Sequence, residues 1–120
     1  MRLLLAALLA ALAAPAFADA SVTIGLSVTG DLERKIVPYD CGTDTPLVVE
    51  YLNAAPDFLA LVPIDGKPRI FVNTLSASGA KYEAGQYVWW NKGSDATLSD
   101  ITEGLDAAPV LTCSEVIETP

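Results

Sequence analysis

Apolar and polar side chains alternate with a period of two along most of the chain, the signature of strands with one face buried. From Ser21 to Val28, Val22, Ile24, Leu26 and Val28 fall on one face and Ser21, Thr23, Gly25 and Ser27 on the other. Leu32 to Tyr39 repeats the pattern more weakly and is interrupted by Pro38. Pro46 to Asn53 carries Leu47-Val48-Val49-Glu50-Tyr51-Leu52, rich in the β-branched and aromatic residues that suit a pleated surface. Phe58 to Ile64 and Arg69 to Leu75 flank Asp65-Gly66-Lys67-Pro68, which predicts a hairpin with Asp-Gly as its turn. Beyond a small-residue loop, Ser76 to Ala80, the segments Lys81 to Glu83 and Gln86 to Asn91 flank an Ala84-Gly85 turn. Lys92 to Asp95 is a further turn, and Ala96 to Thr102 and Val110 to Ile117 close the chain around a Glu103 to Pro109 loop.

About eight short strands at close spacing predict an all-β, antiparallel fold, either a sandwich or a closed barrel. Closure has the advantage of leaving no exposed sheet edge. There is no internal repeat or interdomain linker, so a single domain is expected. The segment Ser21 to Lys35 reads as edge strands of that domain, with no function attached.

The first eighteen residues do not share the pattern. Met1-Arg2 supplies a positive start, Leu3 to Ala14 is an unbroken Leu/Ala run, and Ala16-Phe17-Ala18 is an A-x-A cleavage signal. The run is short of the roughly 20 apolar residues needed to span a bilayer. The expectation is a cleavable signal peptide at 1–18 and a domain at 19–120, which is 102 of the 120 residues. No cysteine lies near the cleavage site to take a lipid, so the expected product is periplasmic or secreted, without a membrane anchor. Exported chains keep disulfides, and the two cysteines, Cys41 and Cys113, suggest one bridge across a long loop. A metal site is the alternative, but two cysteines without histidine or C-x-x-C spacing argue against it. Nothing in the sequence calls for a cofactor.

Charge narrows the partners. Loss of residues 1–18 removes one base, Arg2, and no acid, so the net charge moves from −8 to −9. Such a surface repels nucleic acid and anionic membranes and favours encounter with cationic proteins. It also gives solubility, the commoner reason for an acidic surface.

Enzymatic readings find little support. The chain has no histidine, which excludes triads and histidine general bases. The fifteen acidic residues are scattered over turns and strands, and no pair stands out. Ser78-Gly79-Ala80-Lys81 matches S-x-x-K, and Asn91-Lys92-Gly93 echoes K-T-G, both found in penicillin-binding proteins and class A β-lactamases. In those enzymes S-x-x-K opens a helix within a far larger domain, whereas here glycine and small residues put it in a loop of a β protein. A binding role fits better. If Lys81–Glu83 and Gln86–Asn91 form a hairpin, its far ends bring Ser78 and Lys92 to one rim. A hydroxyl and an ammonium there would suit a carboxylate target. The plainer alternative is that Gly79 and Gly93 serve only their turns and Lys92 is a solvated lysine.

These residues also carry a resemblance. Ser78-Gly79-Ala80-Lys81-Tyr82 resembles the SGxxY motif of the membrane-bound and periplasmic inhibitors of c-type lysozyme. Tyr87 to Leu98 is similar to the second motif of that family, YxxxTKGxxxxL, with Asn91 in place of the threonine. Tyr39-x-Cys41, Val48-x-x-Tyr51-x-Asn53 and a late cysteine, Cys113, also match, so the likeness spans roughly residues 37 to 114. It implies an eight-stranded antiparallel β-barrel, a Cys41–Cys113 disulfide, and c-type lysozyme as the partner. It implies further that Ser78 and Lys92 enter the lysozyme cleft, while Gly79, Tyr82, Tyr87 and Gly93 shape or line that surface. Without a cysteine at the expected mature start, the chain is similar to the soluble periplasmic branch. The alternative function is a periplasmic module of the same fold for a glycan or another cationic protein.

Overall fold

The computed structural model describes residues 20–27 and 29–117. The expected signal peptide, residues 1–18, lies outside them. Eight strands follow in chain order: β1 (Glu33–Asp40), β2 (Leu47–Ala54), β3 (Asp57–Ile64), β4 (Lys67–Thr74), β5 (Ala80–Ala84), β6 (Tyr87–Lys92), β7 (Asp95–Asp100) and β8 (Leu111–Glu115). One 3-10 turn, Ile101–Glu103, sits between β7 and β8. Each strand pairs antiparallel with the next, and β8 returns to β1, so the sheet closes into a barrel.

Inward side chains of alternating strand positions fill the interior. Val37, Tyr39, Val49, Tyr51, Ala60, Val62, Phe71, Tyr82, Trp89, Ala96, Leu98 and Cys113 form one buried cluster. An eight-stranded barrel is just wide enough to be packed in this way. The Asp-Gly signal holds: Ile64 pairs with Lys67, and the two turn residues Asp65 (φ 50°) and Gly66 (φ 74°) both adopt the positive φ that a type I′ turn demands.

The β1–β8 seam is the thin part of the wall, with only Tyr39↔Glu115 and Asp40↔Ser114 in register. There Pro38, expected to interrupt the strand, is accommodated within β1. Its carbonyl accepts from the Val116 N–H at 2.9 Å, so the missing proline donor faces this sparsely bonded seam. The Cys41–Cys113 disulfide ties the same seam, linking positions 72 residues apart.

The first alternating segment departs from expectation. Residues Ser21 to Ser27 form no strand, and Val28 lies outside the described residues. The segment does not extend the sheet, although β8 pairs with only Tyr39 and Asp40 of β1. Val22, Ile24 and Leu26 instead line a groove on the outside of the barrel with Leu52, Leu59, Leu61 and Ile70. Among the described residues of the expected edge-strand segment Ser21 to Lys35, only Glu33 to Lys35 enter the sheet, at the start of β1.

Candidate functional site

The register of the β5–β6 hairpin builds the site. Ala84 pairs with Tyr87 beside the Gly85-Gln86 turn, and Ala80 pairs with Asn91 at the open end. The residues just outside that last pair, Ser78-Gly79 and Lys92-Gly93, therefore meet at one rim. Gly79 lies flat against the neighbouring strand with φ 67°. A Cβ there would overlap the Asn91 carbonyl oxygen and come within 3.1 Å of Lys92 Cγ. Glycine is needed twice over, for its positive φ and for the close approach. The Ser76 hydroxyl donates to the Gly79 carbonyl at 3.1 Å and closes the loop on itself.

Trp90 joins the two sides. On β6, Trp89 and Asn91 point into the barrel, and Trp90 and Lys92 point out. The Trp90 indole N–H donates to the Ser78 carbonyl at 2.9 Å. The Lys92 ammonium stands 4.4 Å from the centre of the Trp90 ring, and the Lys81 ammonium 5.5 Å from it. Lys81 is also 3.5 Å from the Glu83 carboxylate, whereas Lys92 makes no ion pair among the described residues. Ser78 and Lys92 are both exposed.

Below the rim lies a buried polar cluster centred on the Tyr51 hydroxyl. It accepts from the Trp89 indole N–H at 2.9 Å and from the Asn91 amide at 2.7 Å. Both of its lone pairs are then used, so its own proton is directed to the Tyr39 oxygen, 2.7 Å away. Tyr39 stands edge-on to Trp89, ring centres 5.1 Å apart. Burial drives the Tyr39 phenol well above the ordinary tyrosine range. Burial also raises Tyr82.

Beside the Ser76–Gly79 loop the barrel opens into a recess of about 640 Å³, lined by Asn53, Phe58, Asn73, Thr74 and Tyr82 among others. Asn53 Oδ1 and Thr74 Oγ1 are buried there without hydrogen-bond partners among the described residues.

Four of the six residues singled out in the sequence, Ser78, Gly79, Lys92 and Gly93, thus share one rim. Tyr82 lies beneath it, buried and tilted against Tyr51 with ring centres 5.7 Å apart. Tyr87 does not join them. It starts β6 at the opposite end of the strand, about 16 Å from Lys92 at 3.3 Å per residue, with the Arg69 guanidinium 5.5 Å over its ring. Asn91, the departure from the motif, turns inward to Tyr51 and away from the rim. Tyr51 belongs to the family pattern and Trp90 falls within the second motif, but the sequence assigns neither a role in the site. Counting outward from the Gly85 turn would have put Trp90 on the outer face beside Lys92; the Tyr51–Trp89 contact, 38 residues apart, leaves no local signal.

Comparison with known proteins agrees with this architecture. The family model described as membrane-bound lysozyme-inhibitor of c-type lysozyme matches residues 39–106, more than half of the chain. A protein of Cupriavidus necator named membrane-bound lysozyme inhibitor of C-type lysozyme is 42% identical over 105 residues, covering 88% of this chain and 84% of that one. A Pseudomonas aeruginosa protein of the same name is 42% identical over 93 residues, covering 75% of this chain and 73% of that one. Among solved structures, Pseudomonas aeruginosa MliC in complex with hen egg white lysozyme superimposes with a TM-score of 0.65 at 37% identity, over 83% of this chain and 100% of that chain. This chain belongs to the family of membrane-bound lysozyme inhibitors of c-type lysozyme.

Proposed function

We propose that this protein inhibits c-type lysozyme by presenting Ser78 and Lys92 to the enzyme's active-site cleft, and that it does so as a binding protein rather than a catalyst. The observation that carries this reading is the rim itself. One loop is docked by Gly79 onto the strand end that bears Lys92, and the ammonium there is exposed and without an ion-pair partner among the described residues. Membership of the family, and the solved complex of its Pseudomonas aeruginosa member with hen egg white lysozyme, support the choice of partner.

The chemistry follows from what lysozyme needs. One carboxylic acid must hold a proton to give to the leaving oxygen, and a second, ionised carboxylate must stand beside the sugar. An ammonium between them pairs with the ionised group and favours loss of the acid's proton, while its bulk excludes the sugar. The Ser78 hydroxyl adds a neutral donor. Gly79 and Gly93 shape the two loops, Tyr82 supports them from inside the barrel, and Tyr87 packs the far end of the hairpin. In this reading residues 1–18 direct export to the periplasm and 19–120 form the working domain, whose net charge of −9 draws in a basic enzyme.

The test is hydrolysis of peptidoglycan by hen lysozyme, titrated with the protein and with Lys92→Ala and Ser78→Ala. Truncating one partner of a buried charge pair costs about 2–5 kcal/mol, so Lys92→Ala should weaken inhibition by about thirtyfold or more. Loss of one neutral hydrogen bond, in Ser78→Ala, should cost about two- to tenfold. Folded wild-type protein that leaves lysozyme fully active would overturn the proposal and favour a glycan or another cationic protein as the ligand.

A further inference from the structure

Two groups on separate loops form an effective contact only if their relative position is held before the partner arrives. Otherwise the ordering cost is met at binding, and a lysine side chain has much rotamer freedom to lose. Backbone pairing supplies only part of that order. Lys92 ends β6 and pairs with Asp95 of β7, but the last β5–β6 pair is Ala80↔Asn91, so no pairing holds Ser78 to it or fixes the Lys92 side chain.

We infer that Trp90 is a positioning residue that ties the Ser78 loop and the Lys92 ammonium into one preorganised unit, using its N–H for the first and its ring face for the second. The inference rests on the reading of this rim as the lysozyme-binding surface and adds a residue that neither family motif specifies. Its two parts are chemically separate. The indole N–H holds the Ser78 carbonyl at 2.9 Å and fixes the height of the loop. The ring face attracts the Lys92 ammonium, 4.4 Å from its centre, and limits the directions the side chain can take. Lys81 lies farther from the ring, at 5.5 Å, and is drawn toward Glu83, so it competes weakly for the same face. Trp90 points outward and is only half-buried, and the barrel interior is filled by its neighbour Trp89. The fold therefore has little need of an indole at this position, whereas both loops bond to it.

The separation makes the inference testable with two substitutions. Trp90→Phe keeps a ring for Lys92 but has no N–H for Ser78; Trp90→Leu has neither. Dissociation constants for hen egg white lysozyme would be measured for both, alone and in a Lys92→Met background, by biolayer interferometry at concentrations high enough to register weak binding. Loss of a neutral hydrogen bond and of an exposed cation–π contact predicts weakening of about threefold in Trp90→Phe and about tenfold in Trp90→Leu. The difference between the two should vanish when Lys92 is Met, because the ring then has no ammonium to hold. NMR of the free proteins gives a second readout. The Lys92 methylene protons should lie upfield of those of Lys67 in wild type and in Trp90→Phe, and match them in Trp90→Leu.

Wild-type affinity in Trp90→Leu, with an unchanged melting temperature, would overturn the inference. So would a Phe-to-Leu difference that keeps its full size in the Lys92→Met background, which would mean that the ring touches lysozyme on its own account. If Lys92→Met weakens binding and the Trp90 variants do not, the lysozyme reading stands and this inference fails. If wild-type protein does not bind lysozyme at all while the methylene shifts follow expectation, the lysozyme reading fails and the tie between the loops stands.

Discussion

Gly79 offers the sharpest perturbation, because its neighbour in function, Gly93, provides a matched control. Both residues have positive φ, 67° and 62°. An alanine at either site must adopt the left-handed conformation, at a cost of about 1–2 kcal/mol. There the likeness ends. A Cβ at Gly93 meets nothing within 4 Å, whereas a Cβ at Gly79 overlaps the Asn91 carbonyl oxygen and crowds Lys92 Cγ at 3.1 Å. The obstacle is strand backbone, which cannot rotate aside, so the Ser76–Gly79 loop must lift by about 1 Å. Hydrogen bonds tolerate a donor–acceptor range of only about 2.7–3.2 Å, so a shift of that size breaks the Trp90–Ser78 bond and misplaces the Ser78 hydroxyl. Two such losses of about 0.7–1.5 kcal/mol each correspond to roughly ten- to a hundred-and-fiftyfold in affinity. Gly93→Ala should lower the melting temperature by several degrees, about what 1 kcal/mol does in a domain of this size, and leave lysozyme affinity within about threefold. Calorimetric titration of lysozyme with both variants, beside their thermal melts, makes the comparison. Equal affinities for the two variants would refute the claim that close approach, rather than backbone freedom, is what Gly79 contributes.

Other expectations follow from the interior and the seam. Tyr51→Phe removes the acceptor of both the Trp89 and the Asn91 N–H groups; one buried and one part-buried donor left unpaired should cost about 2–4 kcal/mol in urea unfolding, and a loss under 1 kcal/mol would mean that the cluster does not hold the barrel together. Tyr39 and Tyr82 have phenols raised above the ordinary value of 10.0 by burial. Their contribution is fully present below pH 10 and is lost as the pH rises toward their folded values, so part of the tyrosinate absorbance should appear only together with alkaline unfolding. Reducing the Cys41–Cys113 bridge, which spans 72 residues, should remove about 4 kcal/mol in the chain-entropy account, read as a drop in the urea midpoint.

Turns and period-two alternation made most of the barrel legible in advance. The Asp65-Gly66 turn set the β3–β4 hairpin, and the register that follows from Gly85 brings Ser78 and Lys92 together as the hairpin argument required. The failures have a common cause, which is that a closed sheet has two faces and this one is apolar on part of both. Leu52, Leu59, Leu61 and Ile70 are outward residues that sequence cannot distinguish from core. The alternation of Val22, Ile24 and Leu26 then mimics a strand, although these side chains lie over that outer face rather than in the sheet. Pro38 misled in the opposite direction, since its tolerance depends on the seam beside it, a long-range property. The polar cluster was illegible for the same reason: Tyr39, Tyr51, Trp89 and Asn91 come from three strands, and only barrel closure brings them within bonding distance.

On the proposed reading, a strongly acidic chain presents a cation at its binding rim. Charge acts on two length scales. Over distances near the Debye length, about 8–10 Å at physiological salt, a partner responds to the summed charge, which is negative and favours a basic molecule. At contact it meets single groups, and these differ in whether they are already satisfied. Arg34 is bonded to Glu50 and Lys81 lies beside Glu83, so both cations are compensated within the wall. Lys92 is held over a neutral indole instead, which positions its ammonium without cancelling the charge. On the proposed reading, a partner is positive as a whole and carries a carboxylate where it touches this rim. Nucleic acid fails the first condition, and a uniformly basic protein surface fails the second. A basic enzyme with carboxylates in the floor of a cleft meets both, so in the proposed reading selectivity comes from pairing a negative barrel with a lysine held over a neutral ring at the rim, rather than from either feature alone.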